Sequence, residues 1–120
     1  MNAHAPVLAD IGHIDEIPPQ GARIVRLDAL DLAVFRTADG AVFALDNRCP
    51  HQGGPLSEGI VHGRSVTCPL HNWVIDLATG EVQGPDVGCV RTARVEVGRD
   101  GRLSLDMASL PRRAGARTGR

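Results

Sequence analysis

Short apolar runs alternate along the chain with clusters of glycine, proline, asparagine and aspartate, and a break falls every eight to twelve residues. That spacing predicts an antiparallel all-β fold, because helices of ordinary length would need longer uninterrupted stretches with a 3.6-residue period. Strands are expected over residues 7–11, 22–27, 31–37, 42–46, 60–61, 65–67, 74–76, 89–97 and 102–105. The alternation is strict from residue 93 to residue 97: Ala93, Val95 and Val97 fall on one side, Arg94 and Glu96 on the other, as in a half-buried strand. Leu103 and Leu105 repeat the pattern after a turn, so this pair should close a sheet. Three hairpin turns are expected at Ala38-Asp39-Gly40, Ala78-Thr79-Gly80 and Arg99-Asp100-Gly101, each ending in the glycine that accepts positive φ. Between His13 and Ile17 a single helical turn fits before Pro18-Pro19 stops it. No internal repeat is visible.

Length and composition narrow the picture. With 120 residues, 42% hydrophobic and 22% charged, the chain has globular composition and room for one domain, expected over residues 1–106. Residues 107–120 carry four arginines and few apolar groups, which reads as a disordered, solvated tail more than as a docking segment. The net charge of −1 gives no general attraction to nucleic acid or to anionic lipid. Phe35, Phe43 and Trp73 are the only aromatic residues, too few for a base-stacking platform. The first ten residues lack the basic start and apolar stretch of a secretion signal, and no run is long enough to span a bilayer. A cytoplasmic setting, with neither nucleic acid nor membrane as partner, is the expectation.

The chemistry is concentrated in two short loops, Cys49-Pro50-His51-Gln52-Gly53-Gly54-Pro55-Leu56 and Cys68-Pro69-Leu70-His71-Asn72-Trp73. Their spacing is C-x-H, sixteen residues, C-x-x-H. Each loop offers one thiolate and one imidazole, and the proline after each cysteine stiffens the turn that aims them. A hairpin around His62-Gly63-Arg64 would bring the loops side by side. Two thiolates with two imidazoles suit either zinc or a 2Fe-2S cluster carrying both histidines on one iron. Zinc sites usually pair cysteine with cysteine and histidine with histidine along the chain, whereas each loop in this sequence supplies one of each. Gly53 and Gly54 fit a cluster whose bridging sulfides need backbone N–H groups at close range. The 2Fe-2S assignment is therefore preferred, with a zinc-stapled interaction module as the alternative.

In these four ligands and the proline and glycine positions around them, the chain resembles the Rieske 2Fe-2S family. The resemblance implies three small antiparallel sheets with two cluster-binding loops at one tip, Cys49, His51, Cys68 and His71 as ligands of one cluster, and a third shielding loop at Gly84-Pro85-Asp86. High-potential Rieske proteins carry a disulfide between the loops and a serine hydroxyl near a sulfide, where this chain has Gly54, Leu70 and Trp73. With fewer dipoles to stabilise the reduced cluster, a potential near the low end of the Rieske range, about −150 mV, is expected. Beyond the ligand loops, Ser57-Glu58-Gly59-Ile60-Val61, Asn72-Trp73-Val74-Ile75 and Gly88-Cys89-Val90-Arg91-Thr92 are similar to the small subunit of assimilatory NAD(P)H nitrite reductase. Ferredoxins of aromatic-ring dioxygenases resemble the chain mainly in the ligand loops, and typically have glycine after the last histidine. The nitrite reductase resemblance implies a large partner subunit with FAD, a 4Fe-4S cluster and siroheme, reducing nitrite to ammonium. This chain would relay electrons or support that subunit, with no substrate site of its own; some members of that family lack the ligands altogether.

The remaining chemically capable residues have plainer explanations. Cys89 starts an apolar strand and is expected to be buried as a small hydrophobe. His4, His13 and His62 are expected to be solvated, Trp73 to anchor the core, and Arg91 and Arg94 to face water.

Overall fold

The computed structural model describes residues 8–27, 30–48, 54–69, 72–83 and 88–110. Ten strands run in order: β1 (Leu8–His13), β2 (Gly21–Leu27), β3 (Leu30–Arg36), β4 (Val42–Asp46), β5 (Ile60–His62), β6 (Ser65–Thr67), β7 (Val74–Asp76), β8 (Thr92–Ala93), β9 (Val95–Val97) and β10 (Arg102–Asp106). Three 3-10 turns, Ile14–Glu16, Leu56–Glu58 and Met107–Ser109, complete the regular structure of the described residues. The strands form three antiparallel sheets, in the orders β1-β10-β9, β2-β3-β4-β8 and β5-β6-β7. Among the described residues the fold is all-β, with the three small antiparallel sheets that the resemblance implies.

The four-stranded sheet is the middle layer, and its pleat explains why β3 reads as a continuous apolar run. Ala33 and Phe35, with Leu45 of β4, face one core that also contains Leu56, Val61, Val66, Cys68, Ile75, Leu77 and Val90. Val34 and Ala44 face the other way, onto Ile17 and Leu103. A strand buried on both faces has no polar side to show, so alternation disappears. The register fixes this assignment: Phe35 lies opposite Phe43, and Val34 opposite Ala44. A one-residue slip would exchange the two cores.

The three expected hairpin glycines all take positive φ, 89° at Gly40, 79° at Gly80 and 86° at Gly101. The expected helical turn is the 3-10 turn Ile14–Glu16. His13 caps it, its Nδ1 accepting from the Asp15 N–H at 3.1 Å while Nε2 lies 2.6 Å from the Asp100 carbonyl oxygen. His13 is thus a half-buried capping side chain rather than a freely solvated one.

Two differences from the sequence-based expectation have physical causes. The single strand expected over 89–97 is divided: β8 pairs with β4 and β9 with β10, so the chain changes sheets at Arg94. Its N–H donates to the Ser109 hydroxyl at 2.7 Å, and its carbonyl accepts from the Asp106 N–H at 2.9 Å. Ser109 belongs to the segment expected as a tail; the Asp106 carboxylate caps its 3-10 turn by accepting from the Ala108 N–H at 3.0 Å. Residues 111–120 lie outside the described residues.

Candidate metal centre

The hairpin of β5 and β6 connects the two expected ligand loops. Ile60 pairs with Thr67, so the chain enters β5 and leaves β6 at the same end of the hairpin. Gly59, just before β5, packs so closely on β6 that a Cβ there would collide with the Thr67 carbonyl oxygen. Cys68 follows directly, fully buried among Leu56, Val66 and Ile75, with its thiol free of any disulfide. Cys49, His51 and His71 lie outside the described residues, as do Leu70 and the proposed shielding residues Gly84, Pro85 and Asp86.

The second loop is closed by its own backbone. The Cys68 N–H donates to the Trp73 carbonyl at 2.7 Å, and the Asn72 N–H donates to the Cys68 carbonyl at 3.2 Å. Asn72 holds φ at 60°, in the left-handed region that asparagine and glycine tolerate best. Asparagine and glycine are therefore near-equivalent solutions to one backbone requirement at this position, and Asn72 alone does not separate nitrite reductase subunits from dioxygenase ferredoxins. Trp73 is half-buried and packs against the core, as expected.

The first loop leaves the end of β4 and returns at the turn Leu56–Glu58. Its ends are joined by a side chain: the Asn47 Oδ1 accepts from the Ser57 N–H at 2.8 Å. The third loop stands on a stem in which the Val82 N–H donates to the Gly88 carbonyl and the Val90 N–H to the Gly80 carbonyl. Gly80 is required there twice over, by its positive φ and because a Cβ would strike the Val90 carbonyl oxygen. The stem continues from β7 through the Ile75–Val82 bridge. Cys89 sits on this stem opposite Glu81 and is exposed, contrary to the burial expected of it, because the segment is a two-residue bridge at the surface and not a core strand.

Arg64 fastens the cluster hairpin to the middle sheet. Its guanidinium lies 3.3 Å from the Asp39 carboxylate and 5.7 Å from the Phe43 ring centroid, while its carbonyl accepts from the Leu77 N–H at 2.9 Å. Asp39, further bonded by the Thr37 hydroxyl and the Ala41 N–H, is held below the usual carboxylate range, with Thr37 the largest cause. Asn47 and Arg64 were not legible as functional from sequence, although an asparagine just after a strand, ahead of a ligand loop, is a recurrent side-chain cap.

A buried thiol at the mouth of a tight turn, free of any disulfide, fits a soft metal ligand. The sequence profile of the Rieske [2Fe-2S] domain matches residues 8–94. The chain therefore belongs to the Rieske 2Fe-2S domain family, and a 2Fe-2S cluster takes the place of zinc as the group the domain implies. Among relatives, it is 32% identical over 72 residues to the ferredoxin component of the naphthalene 1,2-dioxygenase/salicylate 5-hydroxylase systems of Ralstonia sp, covering 60% of this chain and 68% of that protein. It is 40% identical over 60 residues to the 4beta-methylsterol monooxygenase of Methylococcus capsulatus, covering 50% of this chain and spanning 16% of the oxygenase. Among solved structures, a Mycobacterium tuberculosis protein provisionally named an NADH-dependent nitrite reductase small subunit superposes with a TM-score of 0.75 at 28% identity, over 84% of this chain and 95% of that one. Among the described residues, no helix is long and apolar enough to cross a membrane.

Proposed function

We propose that this Rieske electron-transfer domain is the small subunit of an assimilatory NAD(P)H nitrite reductase, relaying single electrons to or within a large cytoplasmic subunit that carries FAD, a 4Fe-4S cluster and siroheme. Cys49 and Cys68 would hold one iron of the cluster and His51 and His71 the other. When bound, the cluster supplies one-electron storage at the loop end of the molecule. The chain's own residues do the rest: Cys68 is kept from water by the core, the hairpin of β5 and β6 sets the two loops together, and Arg64 ties that hairpin to the rigid middle sheet.

The observation that carries this reading over a generic ferredoxin is the stretch from Gly88 to Thr92. It is similar to nitrite reductase small subunits outside the ligand loops, and it forms one side of the third-loop stem before entering β8. The structural likeness to the Mycobacterium tuberculosis protein, over 84% of this chain and 95% of that one, is in keeping with the same reading. A second reading, a free ferredoxin serving an aromatic-ring dioxygenase, is favoured by the Ralstonia relative.

The test is affinity purification of the full chain from its native host grown with nitrate as sole nitrogen source. Co-elution of a large subunit with siroheme absorption is expected. A cluster-loaded chain that binds no siroheme protein, yet restores turnover to an aromatic-ring dioxygenase, would transfer the role to the ferredoxin reading.

A further inference from the structure

The necks of the two ligand loops are bonded in different ways, the second by backbone and the first by a side chain. Its return turn, Leu56–Glu58, has Pro55 at the N-cap, and Pro55 makes no side-chain cap hydrogen bond. The N–H groups of a first helical turn have no partner within the turn and normally take one from the N-cap side chain. Ser57 is the second residue of this turn, and the acceptor for its N–H comes instead from Asn47, ten residues earlier, at 2.8 Å. The Ser57 hydroxyl takes no part, being buried without a hydrogen-bond partner among the described residues.

Asn47 is itself fixed. Its N–H donates to the Asp31 carbonyl at 2.9 Å, and the next residue's N–H returns to the Asp46 carbonyl at 2.7 Å. The amide is thus anchored to the end of the middle sheet and reaches across the neck of the loop. Leu56, fully buried, sits between the capped N–H and the first loop.

We propose that Asn47 is a positioning residue for the cluster: as a remote N-cap it holds the neck of the first loop closed and so fixes the Cys49–His51 half of the site against the Cys68–His71 half. The inference rests on the ligand assignment made under Proposed function. Loss of an N-cap acceptor commonly shifts the local equilibrium by about 2- to 30-fold. Asn47→Leu keeps the side chain's size and removes the acceptor, whereas Asn47→Asp keeps an oxygen acceptor in the same place.

The experiment compares the full-length wild type, N47L and N47D for iron and sulfide content, EPR line shape of the dithionite-reduced protein, and rate of cluster loss to a chelator. Expected are a broadened rhombic signal and cluster loss about tenfold faster in N47L, with N47D returning the wild-type line shape. If N47L matches wild type in both readouts, or if N47D carries a full cluster but shows a disturbed signal, the proposal is overturned. Should N47L fail to fold, N47D still decides on its own line shape. A wild type holding no 2Fe-2S cluster, or a Cys49→Ser variant that keeps one, would instead sink the underlying ligand assignment.

Discussion

The two cores on either face of the middle sheet rest on different amounts of backbone. Toward β1-β10-β9, β1 and β10 pair along most of their six and five residues, with only β9 as short as three, and the middle sheet behind them has the seven-residue register of β2 with β3. Toward the ligand loops, β5, β6 and β7 have three residues each. Strands that short supply few ladder hydrogen bonds and little area, and a three-stranded unit needs a hydrophobic face or further support to stay folded. The support visible in the structure is a core contributed from the middle sheet by Ala33, Phe35 and Leu45, together with Arg64 as a fastening. One end of the molecule is thus a self-sufficient scaffold, and the other is a small device clamped onto it. Ligation is what should complete the second.

Removing the cluster tests that contrast most severely. Chelation under reducing conditions should raise amide exchange over residues 60–76 by about a hundredfold, roughly 2.7 kcal/mol of local stabilisation, while residues 21–36 stay protected. Uniform loss of protection across both regions would show that the two ends form one cooperative unit. Next come matched truncations at fully buried positions. Ile75→Ala and Leu103→Ala should each cost about 2–5 kcal/mol of unfolding stability in urea titrations, since both side chains are at most 1% exposed. The expected asymmetry is that only Ile75→Ala also lowers iron content, because it lies in the core shared with Cys68.

The same contrast governs what the sequence disclosed. Hairpins announced themselves through Gly40, Gly80 and Gly101, because positive φ at a turn leaves few other residue choices. The four expected ligands stood out in the sequence because each of two short loops pairs a cysteine with a histidine, and of these only Cys68 lies among the described residues. Less visible was anything that depends on tertiary choice. The chain's change of sheet at Arg94 is written in hydrogen bonds to Asp106 and Ser109, not in apolar alternation, which runs unbroken through the corner. Cys89 was misjudged because an apolar neighbour such as Val90 signals burial on average, while the bridge to Glu81 turns Cys89 outward. Asn47 escaped notice because its partner is ten residues away, and local propensity does not register a remote cap.

A smaller effect separates the two loop necks. At Asn72, with φ of 60°, Asn72→Gly should change stability by only a few tenths of a kcal/mol, and Asn72→Ala should cost about 1 kcal/mol. Thermal unfolding of the two variants measures the difference. Equal stability of the alanine and glycine variants would show that the second loop relaxes to another backbone conformation, making its closure as adaptable as the first.

The least of these effects concerns the fastening itself and appears only in acid. The Asp39 carboxylate is held below its unfolded-state range by the Thr37 hydroxyl first, then by Arg64 and the Ala41 N–H. A carboxylate with a depressed folded-state pKa contributes stability above the unfolded value, about 3.9, and loses it as pH falls through the folded value. Asp10, lowered by the Gly12 N–H and then by Arg102, follows the same sign within the β1-β10-β9 sheet. The two differ in what they join: Asp10 ties strands of one sheet, whereas Asp39 ties the cluster hairpin to the middle sheet. Asp39→Asn should therefore lower the urea midpoint at neutral pH, and the gap from wild type should close as the pH falls below the ordinary carboxylate range. In the same titration, amide exchange in β5 and β6 should rise before that in β2 and β3. A gap that stays constant down to pH about 2 would mean that the charge on Asp39 contributes nothing, leaving the contact of Arg64 with Phe43, worth about 0.5–1 kcal/mol, as the fastening between scaffold and cluster end.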